Sequence, residues 1–351
     1  IHTAFLICAA IGVFCILFAR PMLQALHTKS DLIDAAILYL KIYALGMPAM
    51  AVYNFGNGVL SAKGDTKSPL IYLAVAGVLN IILNLIFVIG FHLAAAGVAI
   101  ASAIAQYVSM LLVIRNLLKR RDVCRLQISK IQFHQDVAKG ILLMGIPTGM
   151  QNAIFALANL FVQRGVNYFY TIMVSGNAAA TNADAIIFNV MSAFYTGCAS
   201  FVSQNRGAGN RERMKKSYLV ALTYSFLIGL FLGACLFFGG RYFLRAFATD
   251  RAVIDAGMER IKIMAFAYSI SAFMDCTIAA SRGLGKSIGP MIIVMLGSCV
   301  FRIIWVYTIF AHFHTIPSLY LLYPFSWTLT AIAEIAYFIV QFRKVMPKSR
   351  I

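Results

Sequence analysis

The sequence predicts an all-α, polytopic membrane protein: a two-lobed bundle of about ten transmembrane helices with a parallel internal repeat. The first observation is composition, because 61% of the residues are hydrophobic and 12% are charged, giving a mean hydropathy of +0.82. A water-soluble chain of this length would expose too much apolar surface. The second observation is a series of long apolar stretches, and the third is a self-match at a fixed offset.

Each apolar stretch has about 20 residues, the length that an α-helix needs to cross about 30 Å of hydrocarbon. The stretches are unbroken and do not alternate, so they predict helices and exclude a strand barrel. Turns or basic segments separate them. The ten predicted spans are residues 1–19, 39–60, 70–90, 95–114, 140–162, 178–203, 218–239, 261–281, 291–311 and 319–341.

The chain matches itself without a gap at an offset of 221 residues. Residues 5–7 return as 226–228, and the register persists to Gly64, which returns as Gly285. Such spacing over different residue types indicates two homologous halves in parallel order.

Residues 140–221 have no counterpart in the first half. The repeat therefore predicts an incomplete amino-terminal lobe of four helices over 1–114, from which two helices are missing at the front. A basic cytoplasmic linker is predicted over 115–139. A six-helix lobe with a short basic tail is predicted over 140–351.

Lysine and arginine are retained in short cytoplasmic loops, so their placement orients the chain. Twenty cations fall in segments 61–69, 115–139, 206–216, 282–286 and 343–350, against eight in the opposite flanks. Those eight are Arg20, Lys29, Lys41, Arg241, Arg245, Arg251, Arg260 and Lys262. Both termini are predicted to be cytoplasmic. The net charge of +18 then reflects topology and not nucleic-acid binding.

Enzymatic signatures are missing from the sequence. HExxH, GxSxG and Walker lysine motifs do not occur, and the seven cysteines are scattered without a CxxC pair. The sequence predicts no enzyme, no metal site and no organic cofactor.

Several motifs together resemble the multidrug and toxin extrusion (MATE) transporters, in order and along the whole chain. They are Gly64 to Pro69, Leu79 to Asn84, Gly97 to Ala101, Gln204 to Gly209 and Ser281 to Gly285.

The resemblance implies two lobes around a central cavity that opens to one side of the membrane at a time. It implies secondary active efflux of small organic, cationic compounds by H⁺ or Na⁺ antiport, by a monomer in a bacterial-type inner membrane. Many members carry Asn and Asp where this chain has Asn80 and Asn84. These two asparagines are therefore candidates for cation coupling, with an amide at position 84 where many members have a carboxylate.

Ionisable side chains within a membrane are costly and usually functional. Three of the twelve acids lie inside predicted spans: Asp184, Asp275 and Glu334. Asp184 and Arg164 lie equally far from the turn near residue 174, so a structural ion pair near the outer surface is predicted between them.

Asp275 and Glu334 have a common predicted depth, at about 10 Å and about 13 Å from the inner flank by helical rise. Arg302, on the intervening span, is the expected neutralising neighbour. The pattern fits a static network of the three side chains equally well as a proton or Na⁺ relay.

Polar stripes on several spans indicate where substrate binds. Helical spacing groups Tyr268 and Ser271 with Asp275, and further amides follow the spans before it. The substrate-cavity candidates are Asn152, Asn159, Gln163, Asn189, Tyr268 and Ser271. Buried helix contacts are the alternative interpretation.

Two other functions remain open from the sequence. One is a flippase for lipid-linked precursors, which would need a more cationic cavity than Arg302 and Arg164 supply. The other is an inactive, truncated transporter fragment.

Overall fold

The computed structural model describes residues 2–25, 32–130 and 132–345, and regular structure within these ranges is helical. Ten helices in the described ranges are long and apolar enough to cross a membrane, which confirms the predicted fold class. Contacts divide the chain into a first unit, Ile1–Ala138, and a second unit, Lys139–Ile351. Lys29 and the tail cations Lys348 and Arg350 lie outside the described residues.

The first unit contains α1 (His2–Ala25), α2 (Ile33–Ala62), α3 (Lys67–Gly90) and α4 (Ala94–Lys119). Helix α2 packs against α1 and α4, and α3 packs against α4. Small residues permit close approach of backbones: a Cβ atom on Gly12 would lie 2.9 Å from the carbonyl oxygen of Ala44. The buried core between α2 and α4 is formed by Tyr53, Leu60, Val113 and Leu117.

The segment after α4 is a loop with one 3₁₀ turn at Ile128–Lys130. Its start is fixed by Arg120, which donates to Asp65 in the α2–α3 turn at 2.7 Å and to Asp122 at 3.1 Å. The predicted linker thus comprises the end of α4, this loop and the start of the next helix.

The second unit contains α5 (Gln135–Val166, whose first turn belongs to the first unit), α6 (Thr171–Gly207), α7 (Arg211–Leu244), α8 (Arg251–Gly283), α9 (Ile288–Phe313) and α10 (Ile316–Val345). Helix α8 is the centre of this unit and packs against α6, α7 and α10. Its most apolar window is 72% buried, whereas the other spans reach at most 33%. Side chains on α8 therefore face protein instead of lipid.

Equivalent positions of the repeat make equivalent contacts. Gly233 approaches the carbonyl oxygen of Ala265 as Gly12 approaches that of Ala44. Arg20 on α1 pairs with Asp34 on α2 at 2.9 Å, and the equivalent Arg241 on α7 pairs with Asp255 on α8 at 2.5 Å.

The equivalence continues into the next helices. The π-helical segment Leu85–Gly90 in α3 corresponds to Val306–Phe310 in α9. A second π-helical segment in α9, Met295–Val300, has no counterpart in α3, where the equivalent residues 74–79 are α-helical. The parallel repeat predicted from the sequence is thus only partly a repeat of backbone geometry.

Candidate functional site

A group of charged side chains lies inside the second unit, on α8, α9 and α10. Glu334 on α10 is 0% exposed, and neither of its carboxylate oxygens has a hydrogen-bond partner within the described residues. An ionised carboxylate without partners costs several kcal/mol in such surroundings. Glu334 is therefore a candidate functional residue.

Asp275 and Arg282 lie seven residues apart on α8, so they share a face of that helix. Asp275 is partly buried beside the hydroxyl group of Tyr195. The charge of Arg282 acts on both Asp275 and Glu334, and its guanidinium donates to Gln151 Oε1 on α5 at 3.0 Å. Arg282 is thus a cation near both acids, although within the described residues it forms no ion pair with either.

Arg302 on α9 is 2% exposed, and its Nε donates to Ser326 Oγ at 3.3 Å. Its guanidinium lies 4.6 Å from the ring centroid of Tyr323, and another nitrogen donates to Asn159 Oδ1 on α5 at 3.4 Å. Within the described residues no ion pair joins Arg302 to Asp275 or Glu334. The sequence predicted Arg302 as the neutralising neighbour of the two acids, but its direct partners are a hydroxyl group, an amide and aromatic rings.

Asp184 on α6 forms a second charged group, nearer the other end of α8. It accepts hydrogen bonds from Arg260 and from the hydroxyl of Tyr268, both on α8. The predicted Asp184–Arg164 ion pair is therefore wrong: Arg164 is exposed and donates to Tyr307 at 3.4 Å. Equal distance from a turn fixes depth along a helix but not direction around it.

A chain of hydrogen bonds extends this second group to α5 and α10. Arg260 donates to the backbone oxygen of Asn177 at 3.3 Å, and Tyr320 donates to the Asn177 side chain at 2.8 Å. Asn177 Nδ2 donates in turn to Gln163 Oε1 at 3.5 Å. These bonds tie four helices together.

Five of the six predicted substrate-cavity residues fall into an exposed and a buried set, and the sixth, Gln163, is half-buried and bonded to Asn167 and Asn177. Asn152, Asn159 and Asn189 are exposed on α5 and α6. Tyr268 and Ser271 are buried, at 5% and 7% exposure. The Tyr268 hydroxyl donates a hydrogen bond to Asp184, and Ser271 donates to the Tyr268 carbonyl at 2.8 Å. Burial shields these two side chains from a ligand, and the exposed asparagines remain the better candidates.

The two asparagines of the first unit are joined to each other. Asn84 Nδ2 donates to Asn80 Oδ1 at 3.1 Å, and Asn80 Nδ2 donates to Ser102 Oγ at 3.4 Å. This chain of amides and a hydroxyl carries no charge. The charged groups described above belong to the second unit.

Sequence reasoning missed Arg260 and Arg282, which it assigned to the membrane flanks. Helix α8 begins at Arg251, ten residues before the predicted span, so Arg260 is inside the helix and 3% exposed. The missed signal was helical spacing: Arg260 and Tyr268 are eight residues apart, and Asp275 and Arg282 are seven apart.

A duplicated bundle of apolar helices with charged side chains in its interior defines a polytopic helical membrane protein of the type that includes ion-coupled transporters. The MatE family model matches residues 1–86 and 147–308. The chain therefore belongs to the MatE family.

Curated relatives agree with this family. The probable multidrug resistance protein YpnP of Bacillus subtilis is 29% identical over 70% of this chain and 55% of its own length. The FAD transporter of Shewanella oneidensis is 23% identical over 75% of this chain and 59% of its own length. The chain thus spans between half and two thirds of the length of these relatives.

The same fold occurs in a solved MOP superfamily transporter from Pyrococcus furiosus. That transporter is described as having a binding pocket of reverse polarity. Its TM-score is 0.88 at 19% identity, over 97% of this chain and 78% of the other.

Proposed function

We propose that this protein is a secondary active exporter of small organic cations, driven by H⁺ or Na⁺ moving in the opposite direction. Asp275 and Glu334 receive the coupling cation. The observation that carries this proposal is Glu334, a fully buried carboxyl group without a hydrogen-bond partner in the described chain. Such a group changes its surroundings strongly when it gains or loses a neutralising cation.

Helix α5 links the coupling acids to the exposed asparagines. Arg282, which acts on both acids, is bonded to Gln151, the residue before Asn152. Arg302, which also acts on Asp275, is bonded to Asn159. Neutralising the acids weakens their hold on the two arginines, and the arginines transmit that change to α5. Cation binding and substrate binding are thereby coupled.

An organic cation is the substrate class that fits the second unit. The exposed polar candidates on α5 and α6 are neutral amides, which do not repel a cation, and aromatic faces attract one. Arg260, Arg282 and Arg302 are engaged in contacts within the unit and do not form the cationic cavity expected of a lipid-linked precursor flippase.

The proposal includes a bacterial-type inner membrane, cytoplasmic termini and alternating access between two lobes in a monomer. The coupling ion takes the place of a cofactor. The relative from Bacillus subtilis, by its name a probable multidrug resistance protein, supports export of drugs. The Shewanella oneidensis relative is by its name an FAD transporter, so FAD is used as the anionic competitor in the test.

Transport by the full chain in proteoliposomes tests this function. Ethidium efflux is measured under an imposed pH gradient or Na⁺ gradient, with FAD as the competing substrate. Asp275→Asn and Glu334→Gln are each expected to reduce the rate of gradient-driven transport at least tenfold. Ethidium binding and the unfolding temperature are expected to stay unchanged. The matched control is Glu212→Gln, since Glu212 is an exposed acid in the first turn of α7.

Full coupling by a protein that carries both substitutions would exclude the two acids from the mechanism. Loss of coupling together with collapse of the fold would instead identify a structural role. Transport of FAD in preference to ethidium would overturn the substrate class.

A further inference from the structure

The first unit contains a cleft of about 780 Å³ at the end of α4. It is remote in sequence from the charged groups of the second unit. Its lining is formed by Tyr72, Leu112, Arg115, Asn116, Lys119, Arg120, Arg121 and Asp122. The volume is sufficient for a small polar ligand.

The charges around this cleft do not cancel. Arg120 is neutralised by Asp65 and Asp122, and Lys63 also pairs with Asp122 at 3.3 Å. Burial opposes the ionisation of Asp65, but the Ser68 backbone N–H and Arg120 outweigh it and lower the pKa of Asp65 below its ordinary value. Asp65 therefore stays ionised and keeps Arg120 occupied.

Three further cations line the same cleft: Arg115, Lys119 and Arg121. All three are exposed, and none of them forms an ion pair within the described residues. The neutral group around Arg120 thus leaves three positive charges without counter-charges on one wall.

The internal repeat shows that these cations are not required by the shared fold. Applied to residues 115, 119 and 121, the offset of 221 gives Ala336, Val340 and Phe342. The end of the equivalent helix α10 carries its cations further on, at Arg343 and Lys344, and has no charge at the three equivalent positions. A general bias of cations toward one side of the membrane does not require three of them around one cleft.

We propose that this cleft binds the phosphate-bearing headgroup of an anionic phospholipid. Basic side chains at the end of a transmembrane helix lie at the depth of lipid phosphates, and each contributes about a fivefold gain in binding. Leu112 and Tyr72 supply an apolar wall for the glycerol backbone. Asn116, which donates to the Tyr72 hydroxyl at 2.7 Å, adds a polar group beside them. Lipid binding here is independent of the transport function and of the orientation in the membrane.

The test uses the purified full chain in detergent and counts bound lipid by native mass spectrometry. Phosphatidylglycerol, phosphatidylcholine and soluble glycerol phosphate are the three probes. The native sequence is expected to bind phosphatidylglycerol at least tenfold more tightly than the other two. The variant Arg115→Gln/Lys119→Gln/Arg121→Gln is expected to lose this preference.

The matched control is Arg213→Gln/Lys216→Gln/Lys286→Gln, which removes three exposed cations from the second unit and is expected to keep the preference. Equal loss of the phosphatidylglycerol preference in both triple variants would show attraction to net charge alone. That result would contradict lipid binding in the cleft. Equal binding of glycerol phosphate would identify a soluble occupant instead of a lipid. If the first triple variant does not fold, the single variants Lys119→Gln and Lys119→Glu supply the test, since unchanged binding in both contradicts the proposal.

Discussion

Two arginine–aspartate pairs in this protein differ in burial, and the difference determines what each contributes. Arg260 is 3% exposed and its partner Asp184 is 30% exposed. Arg241 and Asp255 are 54% and 49% exposed. A buried arginine that loses its counter-charge remains desolvated, whereas an exposed arginine is solvated by water or lipid headgroups.

Asp184→Asn is expected to destabilise the protein by about 3–5 kcal/mol, because it leaves the buried Arg260 charge uncompensated. Asp255→Asn is the matched control and is expected to cost less than about 1 kcal/mol. Thermal unfolding in detergent, followed through tryptophan fluorescence, measures both. Equal shifts for the two variants would show that Arg260 finds another counter-charge.

Contacts between individual side chains were also the feature that the sequence predicted least well. Asp275, Glu334 and Arg302 were identified as interior charges because hydropathy marks them as exceptions within apolar stretches. The partner of Asp184 was not predicted. Residue spacing within one helix does not determine which neighbouring helix a side chain faces, and it does not predict that α6 packs against α8. The position of Arg282 near both acids was missed for the same reason, because it depends on the packing of α8 against α10.

At the scale of helices, the repeat predicts which close contacts are indispensable. A Cβ atom at Gly233 would lie 1.8 Å from the Ala265 carbonyl oxygen, and one at Gly12 would lie 2.9 Å from that of Ala44. Gly239, also on α7, has no neighbour within 4 Å of that position. The three glycines therefore differ in how closely a neighbouring backbone approaches them.

Gly233→Ala is expected to destabilise the second unit most, because the α7 and α8 backbones must separate. Gly12→Ala is expected to have a smaller effect, and Gly239→Ala is expected to stabilise by about 0.5–1 kcal/mol through the helix propensity of alanine. Unfolding temperatures of the three variants check the order. An unchanged temperature for Gly233→Ala would contradict the close approach of α7 and α8.

Helices were the most predictable elements, although their ends were not. Within the described residues, all ten predicted spans lie in helices, but α8 begins at Arg251 and α6 at Thr171, several residues before their predicted spans. Hydropathy reports the part of a helix that lies in hydrocarbon, and these helices continue beyond it with polar residues. The π-helical turns of α3 and α9 had no signature in composition.

For the whole molecule, orientation is the property that the cation distribution predicts and that chemical labelling can measure. Arg125→Cys and Ala208→Cys, each in a protein whose seven native cysteines are replaced, are expected to react with an impermeant thiol reagent only after cells are permeabilised. Both positions are exposed. Tyr170→Cys, in the 90% exposed turn between α5 and α6, is the control and is expected to react in intact cells.

Reaction of Arg125→Cys and Ala208→Cys from outside, with Tyr170→Cys protected, would reverse the orientation. Reaction of all three would indicate leaky cells, and the experiment is then repeated in sealed right-side-out vesicles.

The ion pairs that join α1 to α2 and α7 to α8 have a consequence for biosynthesis. In the proposed orientation, Arg20 and Arg241 must be translocated outward against an inside-negative potential, which costs about 2.3 kcal/mol per charge for each 100 mV. Asp34 and Asp255 travel with them in the same hairpins and cancel that electrical work. The duplicated ion pair thus lets each pair of helices enter the membrane as a hairpin with no net charge from these residues.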